Sequence, residues 1–218
     1  MRILGKDMCW GKNMAVMVLN KELADEILEG RNGFYRPSRR EEVWDGVTYI
    51  MPEVDNEHDD IGGFFRWVFR SVFDPELGFR VHGSVNISDR SANWKKSYRV
   101  PDFSFFDVNC TAEDRKSHWF GGPDIVLEVV SPDDKSRDKL EFYAKVGSRE
   151  VMMLDRDPWQ LELYQLHRGE LKLAGKIKPG DGKRLASSVV PFEYQLLRSR
   201  PRPKVKIVHT ESGQEWAG

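Results

Sequence analysis

Hydrophobic residues recur at helical spacing in some parts of the chain and at strand spacing in others. Residues 57–73 carry apolar side chains three and four positions apart, which predicts an amphipathic helix. A short helix is predicted from Asn20 to Gly30, and another from an N-cap at Asp134 to a C-terminal cap at Gly147. Strands are predicted over residues 42–51, 79–87, 98–108, 125–130, 150–154, 160–166 and 170–177.

The strand pattern also indicates how the chain turns and how it is divided. Asp45-Gly46 is a strong hairpin signal within residues 42–51. Helices interleaved with strands predict a sheet with helices packed against it. We predict one domain over residues 1–218, with a core at about 20–196 and a flexible basic tail at 197–218.

One strand contains a charge that its surroundings do not suit. The run from Ile125 to Val130 is apolar at every position except Glu128, and most of its residues are β-branched. An ionised carboxylate left alone in an apolar interior costs on the order of several kcal/mol, so such a group is neutral, paired or bound to a metal. Glu128 is therefore the first candidate for a functional residue.

A second acid, Asp102, follows Pro101 in the strand-like run at 98–108. Alternation along a strand places Asp102 and Ser104 on one face, and Val126, Glu128 and Val130 on one face of theirs. If the two strands are neighbours, both carboxylates meet at one point. Two carboxylates suit a hard divalent cation such as Mg²⁺, which lowers the pKa of the water it carries.

Lys139 is the candidate cation beside these acids. It lies early in the helix predicted after the Glu128 strand, on one stripe with Phe142, Tyr143 and Val146. Lys135, one turn earlier, is the second candidate. Each residue has a structural alternative: Glu128 and Lys139 could form an ion pair only, Asp102 could cap a turn, and Lys139 could extend its amine to solvent.

Composition limits the class of protein. The chain has 218 residues, of which 39% are hydrophobic and 32% charged, which is typical of a globular protein and not of a disordered one. No apolar run approaches the roughly 20 residues that span a bilayer, and no secretory leader is recognisable. Cys9 and Cys110 are consistent with a reducing compartment. We expect a cytoplasmic protein with no membrane partner.

The overall charge balance is a poor match for a constitutive nucleic-acid binder. The formal net charge is −1, whereas constitutive nucleic-acid binders tend to be basic overall. Local basic clusters occur at residues 36–40, 95–96 and 198–206, and their ordinary role is solvated surface. A catalytic groove can nevertheless be locally positive in a neutral protein.

These residues resemble a known family. The chain is similar to the Uma-two family of endonucleases, within the PD-(D/E)XK, restriction-endonuclease-like superfamily, over roughly residues 20–196. The stretch from Pro123 to Asp155 is the most specific part of the resemblance. The matching positions are Glu42, Asp45-Gly46, His58, Pro101-Asp102, residues 123–132, Asp138-Lys139-Leu140, Tyr143, Gly147 and residues 150–155.

The resemblance implies an α/β, restriction-endonuclease-like fold, in which a mixed central β-sheet is flanked by α-helices. It implies that Asp102, Glu128 and the backbone carbonyl of Val129 bind Mg²⁺, with Mn²⁺ as a possible substitute. The superfamily usually places its lysine two residues after the glutamate, where this chain has Val130. The family supplies that lysine from the following helix, which corresponds to Lys139.

Three further residues are candidates of less certain role. Glu42 would be an added acid near the metal, or else an exposed charge at a strand edge. His58 could face the site, or lie on the surface at the start of its helix. Asp124 is expected to hold a turn and not to bind the metal.

The first functional hypothesis is a Mg²⁺-dependent endonuclease that hydrolyses the phosphodiester bonds of DNA. The second is an inactive or regulatory relative that uses the same fold to bind nucleic acid or a protein. A third is another metal-dependent phosphodiester or nucleotide hydrolase, which would have a closed pocket instead of an open groove. A homodimer is plausible because cutting both strands of a duplex requires two sites.

Overall fold

The computed structural model describes residues 16–18, 41–51, 54–131 and 135–218. The helix predicted from Asn20 to Gly30 and the N-cap predicted at Asp134 lie outside these ranges. The α-helices are α1 (Asn56–Val72) and α2 (Leu140–Lys145), and short 3-10 helices span Pro75–Leu77, Trp94–Lys96 and Ser136–Lys139. The strands are β1 (Val16–Val18), β2 (Glu41–Trp44), β3 (Val47–Ile50), β4 (Arg80–His82), β5 (Ile87–Ser88), β6 (Phe103–Phe106), β7 (Glu113–Asp114), β8 (Trp119–Phe120), β9 (Ile125–Val130), β10 (Glu150–Arg156), β11 (Trp159–His167), β12 (Glu170–Ile177), β13 (Leu185–Ala186), β14 (Phe192–Leu197), β15 (Lys204–His209) and β16 (Glu215–Ala217).

The central sheet has six strands in the order β12-β11-β10-β9-β6-β4. β9 and β10 pair in parallel, and the other neighbours pair antiparallel. β9 lies inside the sheet and is buried at all six positions, which is why its sequence is a continuous apolar run and not an alternating one. The predicted mixed sheet and the strand that carries Glu128 are confirmed.

Two predicted strands are shorter in the structure. The run at 79–87 enters the central sheet only at β4, because Gly83 and Ser84 follow that strand and Ser84 has a φ of 54°, and Ile87 at its end belongs to β5 of the small sheet. The run at 98–108 enters the central sheet only at β6, since Pro101 has no N–H to donate to a ladder. Asp102 therefore lies at the end of β6 and not within it.

α1 begins where Asp55 accepts a hydrogen bond from the His58 N–H at 2.8 Å. Its apolar stripe, with Ile61, Phe65 and Phe69, is buried against the central sheet. This helix of 17 residues is as predicted from the sequence. Within the described parts of the chain, no helix is both long and apolar enough to cross a membrane.

The segment after β9 forms a 3-10 helix and then α2, where one continuous helix was predicted. Gly147 follows α2 with a φ of 87°, a conformation that suits glycine at a helix C-terminus. The predicted end of the helix is therefore confirmed. The 3-10 turn matters because it places Lys139 at the junction with α2.

The two faces of the central sheet have separate hydrophobic cores. On one face, Leu127 and Val129 of β9 pack with α1 and with β14 and β15. On the other face, Val126 and Val130 pack with α2 and with the small sheet β5-β8-β7. Glu128 shares the second face because side chains alternate along the strand. The β2-β3 hairpin turns at Asp45-Gly46, as predicted.

The end of the chain is ordered, which corrects the predicted flexible tail at 197–218. β13, β14, β15 and β16 form a four-stranded antiparallel sheet. Val205, Ile207 and Trp216 are buried and pack into the same core as α1. The Pro- and Arg-rich composition of residues 198–203 suggested a tail, but the apolar positions after it alternate as in a strand.

Candidate active site

Asp102 and Glu128 lie opposite each other in the central sheet. The antiparallel register of β6 and β9 pairs Ser104 with Val126. Asp102, two positions before Ser104, therefore faces Glu128, two positions after Val126. Alternation directs Glu128 to the face that α2 covers, and Asp102 is close enough to raise the pKa of Glu128. The structure thus brings the two predicted acids together.

The carboxylate of Asp102 is held by β9 and by α1. Its Oδ2 accepts a hydrogen bond from the Val129 N–H at 2.8 Å. Its Oδ1 lies 2.9 Å from Nε2 of His58. His58 is only 8% exposed, so this residue faces the acids and does not lie on the surface of α1.

Glu128 is bound by a lysine and a tyrosine from the segment that follows its own strand. Nζ of Lys139 lies 3.1 Å from Oε1 and 3.0 Å from Oε2. The hydroxyl of Tyr143 donates to Oε1 at 2.5 Å. Lys139 and Tyr143 are four residues apart, so one side of the 3-10 helix and α2 presents both groups to the acid.

The burial of this cluster changes its proton affinities. Burial raises the pKa of Glu128, the Lys139 ammonium opposes that rise, and the carboxylates of Asp102 and Glu42 add to it. Burial also raises the pKa of Tyr143 well above its usual value. Tyr143 therefore remains a protonated donor. A raised carboxyl pKa among other acids is typical of a functional site.

Glu42 is the third acid of the cluster and is 1% exposed. Its Oε1 lies 2.9 Å from Nζ of Lys139 and accepts a hydrogen bond from the Val100 N–H at 2.9 Å. Its Oε2 accepts a hydrogen bond from Nε1 of Trp44 at 2.8 Å. The structure therefore rules out the alternative that Glu42 is an exposed strand-edge charge.

A buried arginine links the elements that carry the cluster. The guanidinium of Arg99 lies 4.4 Å from the centre of the Trp44 ring and 4.3 Å from that of Phe142. Its Nη1 donates to the Val43 carbonyl at 2.9 Å. Arg99 thus joins the β2-β3 hairpin to α2, and it was not recognised from the sequence.

The turn that carries Lys139 is fixed to the central sheet by Arg137. Nη1 and Nη2 of Arg137 donate to the carboxylate of Asp155 at 3.1 and 2.5 Å. Nη2 also donates to Glu162 at 2.9 Å, and Glu162 in turn accepts from Tyr164 at 2.8 Å. Such bidentate geometry fixes position as well as charge. Lys139 is therefore presented from an anchored turn.

The donors present fit a magnesium ion. Mg²⁺ prefers oxygen ligands and commonly binds through one or two carboxylates while it keeps several waters. Asp102 and Glu128 provide two carboxylates, and the Val129 carbonyl points to the same side of β9 as the Val129 N–H that Asp102 accepts. Among the residues described, no group of three or more His, Cys, Asp or Glu side chains is placed to hold a metal.

Other candidates have structural surroundings. Nζ of Lys135 lies 5.6 Å from the centre of the Tyr49 ring, on the hairpin. Asp124 accepts a hydrogen bond from the Asp107 N–H at 2.8 Å, as expected for a residue that holds a turn. Sequence reasoning missed the roles of Tyr143 and Trp44 as donors. The donor role of Tyr143 could have been predicted, because Tyr143 lies one helical turn after Lys139 and on the same side.

The comparisons with known proteins agree with this architecture. One solved structure, a putative nuclease belonging to DUF820 from Anabaena variabilis ATCC 29413, is similar with a TM-score of 0.54 and 18% sequence identity. The similarity covers 68% of this chain and 82% of that one. At this identity the likeness concerns the fold. No curated protein matches the chain.

The fold is of the α/β, restriction-endonuclease-like class, with a mixed sheet between α1 and α2. The profile of the Uma2 family, described as "Putative restriction endonuclease", matches residues 28–197. The chain belongs to this family, which confirms the resemblance found in the sequence. Membership supports a nuclease function for the chain.

Proposed function

We propose that the protein is a Mg²⁺-dependent endonuclease that hydrolyses phosphodiester bonds of DNA through a PD-(D/E)XK-type site. The observation that carries this proposal is the convergence of Lys139 on Glu128, opposite Asp102, in a buried cluster. These are the parts that such hydrolysis requires: oxygen ligands for a cation, and a fixed positive charge beside the reacting phosphate. The Uma2 family membership supports the same reaction.

Asp102, Glu128 and the Val129 carbonyl would hold the metal ion. When bound, Mg²⁺ or Mn²⁺ would supply positive charge at the phosphate and make a water a better nucleophile. Glu42 and Glu128 share the Lys139 ammonium within the described cluster, and Asp102 is near enough to Glu128 to raise its pKa. Three buried carboxylates close together favour a bound cation, since each disfavours the ionised form of the others.

Lys139 would act on the substrate. Its ammonium has three donor hydrogens and lies between Glu42 and Glu128. We propose that Lys139 orients the attacking water and stabilises the charge that develops on the phosphate oxygens. Glu42 would position Lys139 from the opposite side, and Trp44 holds Glu42 in place through its Nε1.

His58 and Tyr143 would position the acids and not react themselves. The ring of His58 limits the rotation of Asp102, whose other oxygen the Val129 N–H already holds. The Tyr143 hydroxyl does the same for Glu128. Hydrogen bonds to metal-binding carboxylates orient them and are costly to remove.

A binding role without catalysis is the alternative that one observation favours. Lys139 already contacts both Glu42 and Glu128 at 2.9–3.1 Å, which is the arrangement of a structural ion cluster. In that case the fold would bind nucleic acid or a protein and would cleave nothing. Fold alone does not decide between the two roles.

Cleavage of supercoiled plasmid with Mg²⁺ or Mn²⁺ separates these roles. Asp102→Asn should lower the cleavage rate by roughly 100-fold or more, because it removes a charge that the reaction needs. Asp124→Asn is the matched control, since both aspartates are buried and accept a backbone N–H at 2.8 Å. Cleavage that persists in Asp102→Asn would refute the site. Cleavage by neither wild type nor control would support the binding role.

A further inference from the structure

The 3-10 turn at Trp94–Lys96 presents two lysines to solvent. Lys95 and Lys96 are both exposed. Many other basic residues in the described chain are paired with acids, including Lys145, Arg149 and Arg184. No Asp or Glu of the described residues forms an ion pair with Lys95 or Lys96, so their charges remain available to a partner.

This turn is fixed and not a loose loop. The Ser88 hydroxyl donates to the Ser97 carbonyl at 2.7 Å and ties the ends of the segment together. The indole of Trp94 stacks on the ring of His118, with centres 4.7 Å apart and planes 12° from parallel. Tyr98 contacts the same indole edge-on at 5.3 Å. The lysines are therefore presented from a constant position.

The turn is also joined to the hairpin that carries an acid of the candidate site. The Gly46 N–H donates to the Lys96 carbonyl at 2.8 Å, and the Tyr98 N–H donates to the Val43 carbonyl at 2.8 Å. Glu42 is four residues before Gly46, so the backbones of Lys96 and Glu42 are within roughly 17 Å of each other. Each strand of a DNA duplex has a phosphate every 3.4 Å or so along the axis. A distance of that order equals about five phosphate steps, which is within the length of a short duplex.

We propose that Lys95 and Lys96 bind the phosphate backbone of duplex DNA on one side of the cleavage point. This inference rests on the proposed nuclease function and adds a substrate-binding surface to it. Phosphate contacts fix the register of a protein on DNA without reading its sequence. A chain with a net charge of −1 depends on such local positive surfaces to bind a polyanion.

The neighbouring basic residues are excluded from the proposal. Arg115 is paired with Glu113, and the Asp114 carboxylate accepts the Lys116 N–H at 2.7 Å. Glu113 and Asp114 therefore offset the positive charges of Arg115 and Lys116. The Trp94–His118 stack contributes by holding the turn, since one face of the indole is already covered.

The test is the salt dependence of binding to a fluorescein-labelled duplex, measured by anisotropy with Ca²⁺ in place of Mg²⁺. The double variant Lys95→Ala/Lys96→Ala should weaken DNA binding roughly tenfold. It should also make the negative slope of the logarithm of the association constant against the logarithm of salt concentration shallower by about two. Lys95→Glu/Lys96→Glu should weaken it further. Lys176→Ala/Lys178→Ala is the matched control, because both of those lysines are exposed and unpaired with any acid of the described residues.

The outcomes separate this inference from the proposed function. If wild type binds and cleaves DNA, and the Lys95 and Lys96 variants match the Lys176 and Lys178 control in affinity and slope, the inference is wrong and the nuclease function stands. If wild type neither binds nor cleaves DNA, the proposed function fails and the inference fails with it. A reduced slope in the Lys95 and Lys96 variants alone supports the inference.

Discussion

Two glutamates lie fully buried on adjacent parallel strands, and their surroundings differ. Glu128 is on β9 and is 3% exposed, while Glu150 begins β10 and is 0% exposed. The hydroxyls of Ser187 and Ser188 donate to Glu150 at 2.6 and 2.8 Å, and the Gln165 amide donates at 3.0 Å. Neutral donors therefore satisfy this carboxylate.

Glu128 has charged neighbours instead. It shares Lys139 with Glu42 and lies opposite Asp102. A carboxylate held by neutral donors anchors one segment to another, as Glu150 anchors residues 187–188 to β10. A carboxylate set among other acids and one cation can exchange that cation for a metal. Burial alone does not identify a functional acid, and burial among other charges is the feature for which we propose Glu128 as one.

The largest expected difference between the two glutamates is in DNA cleavage. Glu128→Gln should lower the rate roughly 100-fold or more, because it removes a ligand charge and keeps the shape. Glu150→Gln should leave the rate per folded molecule unchanged. Plasmid cleavage by both variants, at a temperature where each is folded by circular dichroism, makes the comparison. Equal losses in the two variants would show that burial, not the charged surroundings, explains the effect.

The next largest effect concerns the ammonium group of Lys139. Lys139→Met leaves Glu42 and Glu128 without the ammonium between them, which should lower the free energy of unfolding by about 3–5 kcal/mol. Adding Glu128→Gln to this variant should restore part of that stability. Urea unfolding of the single and double variants measures the coupling. Additive effects would mean that Lys139 and Glu128 do not interact as the structure shows.

Glu150 should respond to substitution through stability alone. Glu150→Gln loses hydrogen bonds to a charged acceptor from Ser187 and Ser188, at a cost of about 1–3 kcal/mol in the free energy of unfolding. Thermal unfolding monitored by circular dichroism gives this value. A stability unchanged from wild type would argue that the 187–188 segment is held by other contacts.

The smallest expected effect is the change in stability per pH unit, which one titrating group limits to about 1.4 kcal/mol. The raised pKa of Glu128 means that the folded chain holds a proton which the unfolded chain releases above the ordinary value of 4.5. Without metal, this group makes stability fall as pH rises from 4.5 to the raised pKa. Glu128→Gln should flatten that slope, and Glu150→Gln should retain it. The measurement is the free energy of unfolding in EDTA at several pH values across this range. A wild-type slope in Glu128→Gln would refute the assignment of the raised pKa to Glu128.

The same two glutamates show what the sequence could reveal. Glu128 interrupts an apolar strand, so its burial was predictable, and Asp102 and Lys139 followed from strand alternation and helical spacing. Glu150 stands at the start of its strand after Ser148 and Arg149, where a charge is ordinary. Its partners are distant in the chain, so only the folded structure could show its burial.

Long-range packing also explains the parts of the fold that were missed. Arg99 was not recognised from the sequence, because the rings of Trp44 and Phe142 that contact it are distant in the chain. The sheet of β13, β14, β15 and β16 depends on strands that pair with one another and pack into the same core as α1. Local signals sufficed for the Asp45-Gly46 turn and for α1, because each is determined by residues close together in sequence.

The most direct test of the account is a titration of the purified protein with Mn²⁺, followed by calorimetry. Wild type and Glu150→Gln should bind the ion with the same affinity, since Glu150 is fully occupied by neutral donors. Glu128→Gln should lose binding in the same assay. Equal Mn²⁺ affinity in Glu128→Gln and wild type would contradict the central claim that Glu128 is a metal ligand.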